Sequence, residues 1–99
     1  MIQYGYTSLR QFPKSEKFAL AGEMKVVMAR LLRLIIQANK RYYKKTTLQD
    51  IDIELATLKA YVRLSKDLGF LSFKKYENWS KMLVEIGKML GGWIKSVKQ

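Results

Sequence analysis

The spacing of large apolar residues in the last third of the chain constrains its fold more than any other feature. Steps of three and four residues separate six of them: Tyr76, Trp79, Leu83, Ile86, Leu90 and Trp93. This spacing places all six along one seam of an α-helix, as in coiled coils. Such a helix depends on burial of its apolar face against other helices. We therefore expect a bundle of helices.

A second apolar stripe, Met82 and Met89, flanks this seam on the same predicted helix. Two apolar faces exceed what packing against one neighbouring helix requires. An exposed apolar surface of that kind commonly marks an interface. We therefore assign Trp79, Met82, Met89 and Trp93 to internal packing or to an oligomer interface.

Turn signals divide the rest of the chain into helices of the same period. Pro13 is the single proline, and the residue before a proline is disfavoured in the α region. Thr47 and Ser72 are predicted N-caps, and Gly69 fits a left-handed position after a helix. The helices are expected at about residues 2–11, 14–43, 47–68 and 73–95. Short connections between them predict one all-α domain over residues 1–99, an antiparallel up-down four-helix bundle with a short first helix.

The charge of the chain indicates an anionic partner. Nineteen Lys and Arg residues stand against eight Asp and Glu residues, which gives a formal net charge of +11. The field of such a protein attracts nucleic acid, an acidic protein or an anionic membrane surface. A membrane-surface function is the weakest of these, because bundle packing uses the apolar stripes and leaves no spare amphipathic helix.

Side chains suited to catalysis are scarce in this sequence. Cys and His are both missing, so disulfides, the commonest metal ligand and the commonest general base are excluded. Asp50, Asp52 and Glu54 are close in sequence, but they fit the acidic start of a helix. We expect no enzyme activity, no cofactor and no metal site. We also expect a cytoplasmic protein, because neither a signal peptide nor an apolar stretch of about 20 residues is apparent.

Basic residues are concentrated in a run from residue 24 to residue 49 that contains no acidic residue. They are Lys25, Arg30, Arg33, Lys40, Arg41, Lys44 and Lys45. Tyr42 and Tyr43 lie among the last four of these cations. Basic charge interleaved with aromatic residues is typical of phosphate contact combined with base stacking. Each lysine taken alone is equally typical of a solvated helix end, where the helix dipole favours cations.

A second basic group lies on the predicted third helix. Lys59 and Arg63 are four residues apart, so they share one helical face, and Lys66 follows three residues later. Part of this pattern is dipole complementarity, because the acids of that helix lie in its first half and the bases in its second. We predict that Lys59, Arg63 and Lys66 contact nucleic acid or a protein partner.

Three strings carry a resemblance to a known family. They are FPKSEKF at residues 12–18, LGFLS at residues 68–72 followed by Tyr76-Glu77, and EIGKMLGGWI at residues 85–94. Together they resemble the accessory variability determinant proteins of diversity-generating retroelements. Those proteins belong to a wider family of bacterial four-helix bundles, which includes proteins encoded in intervening sequences of 23S ribosomal RNA genes. The third string points more narrowly to the retroelement group.

The resemblance implies a specific assembly and specific partners. It implies a ring-shaped homopentamer with a basic surface that binds a reverse transcriptase and RNA or DNA, and so supports mutagenic reverse transcription. Lys59 and Arg63 match a basic pair of that family. The family's first helix is usually longer than the segment that precedes Phe12-Pro13 here. The alternative is a structural bundle of the ribosomal intervening-sequence type, which binds an acidic protein partner or RNA.

Overall fold

The computed structural model describes residues 1–97, and every regular element in that range is an α-helix. The elements are α1 (Ile2–Leu9), the single turn α2 (Lys14–Lys17), α3 (Leu20–Lys40), α4 (Lys45–Asp67) and α5 (Phe73–Ser96). The predicted all-α four-helix bundle is confirmed for these residues, with α2 as an additional short turn. Residues 98–99 of the predicted domain lie outside the described part of the chain.

The single helix predicted for residues 14–43 is interrupted near its start and ends three residues early. The chain leaves the helical path at Ala19, which has φ −95° and ψ −100°. The preceding turn, α2, buries none of its residues. At the other end, α3 stops at Lys40, and Arg41 is extended. The residues that follow are polar or exposed, so they add no apolar face to the helix.

The other predicted boundaries lie within two residues of the observed ones. Thr47 is not the N-cap of α4, which is a correction, because the helix already begins at Lys45 and Thr47 is buried within its first turn. Gly69 has φ +80°, the left-handed conformation predicted for it. The predicted cap at Ser72 is also confirmed, since its hydroxyl accepts a hydrogen bond from the Lys75 backbone N–H at 3.2 Å.

Helix α1 lies between α3 and α5, on the opposite side of the bundle from α4. Helix α1 packs against both α3 and α5, and α4 packs against the same two helices. Met1 and Ile2 line a cavity with Ile35 and Ile86, whereas a Cβ atom on Gly5 would meet the side chains of Met28 and Trp79. Helix α1 therefore runs antiparallel to both α3 and α5. Because it is only eight residues long, it covers about one half of the groove between them.

The core holds the other three helices along their full length. Its most deeply buried large side chains are Met24 and Met28 of α3, Leu48, Ile51, Leu55, Leu58 and Val62 of α4, and Trp79 and Leu83 of α5. Each helix contributes residues at spacings of three and four, so one continuous apolar face is buried. This packing fixes which faces of α3, α4 and α5 remain at the surface.

Gly5 brings the backbone of α1 close to side chains of the bundle core. A Cβ atom there would lie 2.6 Å from Trp79 Cζ2 and 2.7 Å from Met28 Sδ. Met28 has a flexible end, but the indole ring of Trp79 is packed in the core. Overpacking typically costs about 1–3 kcal/mol, and the gain of about 0.5–1 kcal/mol from alanine in a helix offsets part of it, so we expect Gly5→Ala to lower the free energy of unfolding by up to about 2 kcal/mol.

Urea unfolding followed by circular dichroism measures this effect. Gly92→Ala is the matched control, because Gly92 lies inside α5 and a Cβ atom there has no neighbour within 4 Å. Alanine is favoured over glycine in a helix by about 0.5–1 kcal/mol, so the control is expected to be more stable than the parent. Equal stability of Gly5→Ala and Gly92→Ala would contradict the close approach of α1.

Candidate nucleic-acid interface

Five cations lie together at one end of the bundle, which we call the basic end: Lys40, Arg41, Lys44, Lys45 and Lys95. Four of them flank or form the connection between α3 and α4. The C-terminal end of α5 reaches the same place, because the Lys44 Nζ atom lies 5.7 Å from the centre of the Trp93 ring. Lys45 also lines a small cavity with Ile94 and Val97. Residues 37–49 and 90–97 contain no acidic side chain.

The helix dipoles explain only part of this charge. Lys40 and Lys95 lie at the C-terminal ends of α3 and α5, where cations offset the negative end of a helix. Lys44 and Lys45 lie at the N-terminal end of α4, whose first turn has no acidic residue. That end of a helix already carries partial positive charge and normally attracts anions. The two lysines therefore add to the positive potential of the basic end.

Two tyrosines accompany the cations in the same connection. The side chains of Tyr42 and Tyr43 are 83% and 73% exposed. Their rings form an edge-on pair with centres 4.9 Å apart and an interplanar angle of 84°. The connection is tied to the first turn of α4, because Arg41 Nη1 donates a hydrogen bond to the Thr47 hydroxyl at 3.4 Å. Exposed ring faces beside cations are the arrangement that binds single-stranded bases by stacking.

The second predicted group, Lys59, Arg63 and Lys66, lies along α4 on the side next to α5. Lys59 reaches across to α5, where its Nζ lies 3.5 Å from the position of a Cβ atom on Gly87. Lys66 is held by two neighbours, the Tyr76 ring at 4.8 Å and Asp67 Oδ1 at 3.3 Å. Lys59 and Arg63 are exposed and form no ion pair with an acid in residues 1–97. They are the members of this group whose charge faces solvent.

The remaining predicted cations of α3 do not meet on one surface. Lys25 lies 5.6 Å from the centre of the Tyr6 ring, on the side of α3 next to α1. Arg30 lies on the side next to α4, where its Nη1 is 3.2 Å from Glu54 Oε1. At about 100° per residue these two positions are roughly 140° apart around the helix. Arg33 is exposed between them, so the acid-free run divides into the basic end and three separate cations.

A comparison with models of known protein families identifies the family to which this chain belongs. A family model described as bAvd-like matches residues 1–97. The chain belongs to the bAvd-like family. This membership confirms the predicted resemblance to the accessory variability determinant proteins of diversity-generating retroelements. The comparison with curated proteins gave no significant match, and the comparison with solved structures gave none either.

One cation of the basic end in this bAvd-like chain was not among the site residues predicted from the sequence. Lys95 lies 50 residues after Lys45, and it joins the basic end only because α4 and α5 pack side by side. The sequence offered one signal, a basic C-terminal segment.

Lys59 and Lys45 are 14 residues apart on α4, or about 21 Å at the rise of an α-helix. The two basic groups are therefore separate surfaces of one protein.

The four residues predicted for packing or an interface differ in their exposure in this bAvd-like chain. Trp79 is completely buried in the bundle core, beneath α1. Met82 and Trp93 are partly buried, whereas the side chain of Met89 is 66% exposed. Trp79 therefore serves internal packing. Met89 and Trp93 border the half of the α3–α5 groove that α1 leaves uncovered.

Two further properties of residues 1–97 concern metal binding and membranes. No three acidic side chains in this part of the chain lie close enough together to hold a metal ion. None of its helices combines the length and the apolar character that crossing a bilayer requires.

Proposed function

We propose that this bAvd-like protein is a non-catalytic accessory protein that binds RNA or DNA together with the reverse transcriptase of a diversity-generating retroelement. The observation that carries the proposal is the basic end, where five cations and two exposed tyrosines meet without an acid in the flanking segments. Family membership supports the retroelement context. In this role the protein supports mutagenic copying by holding nucleic acid near the polymerase.

The basic end acts on a nucleic acid in two ways under this proposal. The ammonium and guanidinium groups contact phosphates and release the counterions condensed on the strand. Tyr42 and Tyr43 stack on bases, and such stacking is sequence-tolerant because every base has a π face. The protein therefore binds single-stranded segments with little sequence preference. Its affinity falls steeply as the salt concentration rises.

Salt-dependent RNA binding tests the proposal directly. Binding of the purified protein to a labelled single-stranded RNA is measured by fluorescence anisotropy over a series of salt concentrations. Each phosphate contact contributes a slope of about −0.7 to the plot of log Kobs against log salt, so the five cations of the basic end alone predict a slope near −3.5, and phosphate contacts by Lys59 and Arg63 bring it to about −5. A slope close to zero would contradict the proposal. Salt-sensitive binding of an acidic protein without RNA binding would favour the alternative structural role.

Lys59 and Arg63 form a second contact surface under the proposal, for nucleic acid or for the polymerase. The double variant Lys59→Ala with Arg63→Ala removes two exposed cations from α4 without touching the core. We expect about 10-fold to 30-fold weaker RNA binding at 0.1 M salt, because two phosphate contacts are lost. The unfolding midpoint in urea is expected to stay unchanged.

The matched control removes two other exposed lysines, Lys81 and Lys88 of α5. Each lies near a glutamate on the same helix, at 3.7 Å from Glu77 and at 3.6 Å from Glu85. This control lowers the net charge by the same amount, so a difference between the two variants reports the site and not the bulk charge. If both variants bind RNA like the parent, the α4 surface is not a nucleic-acid contact. Capture of the reverse transcriptase by the Lys59/Arg63 variant then tests the polymerase role.

The homopentameric ring is also part of the proposal, and family membership supports it. Exposed apolar side chains on three helices provide surface for contacts between subunits. Among them are Val26 and Ile36 of α3, Ile53 and Leu64 of α4, and Val84 of α5. Sedimentation velocity tests the ring. A single species with the mass of one chain at micromolar concentration would contradict it.

A further inference from the structure

The side chain of Phe18 is 98% exposed, more than any other large apolar side chain in residues 1–97. It follows the short turn α2, in the connection between α1 and α3. Burial of a phenylalanine side chain stabilises a protein or a complex by about 1.5–3 kcal/mol relative to an exposed one. Phe18 contributes none of this to the fold of a single chain. The whole of it is gained when another molecule covers the ring.

Two lysines accompany this aromatic ring. Lys14 and Lys17 of α2 are exposed, and they form no ion pair with an acid in residues 1–97. The one acid of the turn, Glu16, is partly buried. The segment therefore presents an apolar ring with positive charge beside it. We call Lys14, Lys17 and Phe18 the Phe18 knob.

A shallow depression of complementary character lies along one side of α5, and we call it the α5 depression. Its volume is about 400 Å³. Its lining includes three large apolar side chains, two acids and one base: Phe73, Tyr76, Val84, Glu77, Glu85 and Lys81. Phe73 is 65% exposed and Val84 is 46% exposed. Acids outnumber bases here although the formal net charge of the chain is +11.

The α5 depression lies apart from the seat of α1. Val84 and Ile86 are two residues apart, or about 200° around the helix. Ile86 lines the cavity at the start of α1, so the depression is on the opposite side of α5. The Phe18 knob is at the end of the bundle away from the basic end, because α3 begins two residues after Phe18 and ends at Lys40. Neither surface overlaps the basic end.

We propose that the Phe18 knob of one copy of the chain inserts into the α5 depression of a second copy. The Phe18 ring covers Val84, and the two lysines of the knob lie beside the two glutamates of the depression. Charge decides the occupant, because glutamates repel a nucleic acid and attract a basic segment. This contact rests on the ring assembly that the proposed function includes, and it names the surfaces that join one subunit to the next.

The symmetry of the assembly follows from this contact. The knob and the depression are different surfaces, so the contact is heterologous. Each copy offers one knob and one depression, so a pair of copies still has one of each to bind further copies. Such contacts generate a closed ring or an open filament, depending on the rotation between neighbours. The ring of the proposed function is the closed case.

Two single variants, Phe18→Ser and Val84→Asp, each remove one half of the contact. Both side chains lie outside the core, so the fold is expected to persist with an unchanged circular dichroism spectrum. In sedimentation velocity at micromolar concentration, we expect the parent to form one large species and each variant alone to be monomeric. An equimolar mixture is expected to form a dimer and nothing larger. The intact knob of Val84→Asp then occupies the intact depression of Phe18→Ser.

Ile53→Asp is the matched control for Val84→Asp. Ile53 of α4 is 61% exposed and lies outside the α5 depression. Both substitutions remove an exposed apolar side chain and lower the net charge by one. We expect Ile53→Asp to assemble like the parent. All three variants are expected to retain salt-dependent RNA binding, because the cations of the basic end are unchanged, so failure of this contact is distinguishable from failure of the proposed function.

Four outcomes would overturn the proposed contact. Phe18→Ser may not assemble like the parent, and the equimolar mixture must not remain monomeric. Loss of assembly in Ile53→Asp as complete as that in Val84→Asp would show that another apolar surface joins the subunits. A monomeric parent would overturn the contact together with the ring, and salt-dependent RNA binding by that monomer would leave the rest of the proposed function standing.

Discussion

Replacing Lys40, Lys44 and Lys45 with glutamine is expected to weaken single-stranded RNA binding about 100-fold at 0.1 M salt. Each lost phosphate contact removes about 0.7 from the salt slope, so three contacts flatten the slope by about 2. Between 1 M and 0.1 M salt, a slope difference of about 2 corresponds to a difference of about 100-fold in the RNA-binding constant. The three side chains lie outside the core, so the folded state is expected to persist.

The control for this experiment replaces Lys14, Lys74 and Lys81 with glutamine. Both triple variants lower the formal net charge from +11 to +8, because each removes three lysines. The control residues are exposed and lie away from the basic end. We expect the control to bind RNA within about threefold of the parent, because long-range charge effects are screened beyond about 10 Å at 0.1 M salt. Equal loss in both variants would mean that bulk charge, and not the basic end, governs binding.

Replacing Trp79 with alanine is expected to lower the free energy of unfolding by about 3–5 kcal/mol. The indole is completely buried and lies directly beneath Gly5 of α1, so its removal leaves a large cavity under that helix. A domain of this size is typically stable by about 5–15 kcal/mol, so this loss is a large fraction of the total. Thermal unfolding followed by circular dichroism is the measurement.

Trp79→Phe separates lost volume from lost hydrogen bonding. The indole Nε1 atom is buried without a hydrogen-bond partner in residues 1–97. Phenylalanine therefore removes a donor that contributes no bond, and only part of the ring volume is lost. We expect a cost of about 1–2 kcal/mol, well below that of alanine. A loss from Trp79→Phe as large as that from Trp79→Ala would show that the Nε1 donor matters.

The apolar seam of α5 illustrates what periodicity predicts and what it leaves undetermined. Spacing alone identified the buried face, and Trp79, Leu83 and Leu90 are buried on it. Spacing did not predict that Ile86 and Trp93 are only partly covered. Their burial depends on where α1 lies along the groove, which is a property of packing between helices. The oligomer interface predicted from the second stripe, Met82 and Met89, stays a prediction.

The break at Phe18 had no local signal. Residues 14–17 are good helix formers, and the helical turn they form is real. The side chain of Phe18 is 98% exposed and α2 buries no residue, so this turn is not part of the buried face of α3. Tertiary packing commonly overrides helix propensity, and local propensity therefore did not predict this boundary.

The candidate site was predictable where its residues are neighbours in the sequence. Lys40, Arg41, Lys44 and Lys45 form one surface because a short connection holds them together. Lys95 was missed because it reaches that surface through the packing of α5. Arg30 was included although Glu54, from the next helix, offsets its charge. A run without acids in the sequence is therefore not the same as an acid-free surface.

The contact between Lys44 and Trp93 places an indole ring at the edge of the basic end. Trp93 is only partly buried, whereas Trp79 is completely buried in the core. A phosphate that draws the Lys44 ammonium away from the ring changes the surroundings of Trp93 and leaves those of Trp79 as they are. Nucleic-acid binding at the basic end is then visible in the fluorescence of the protein itself, without a label.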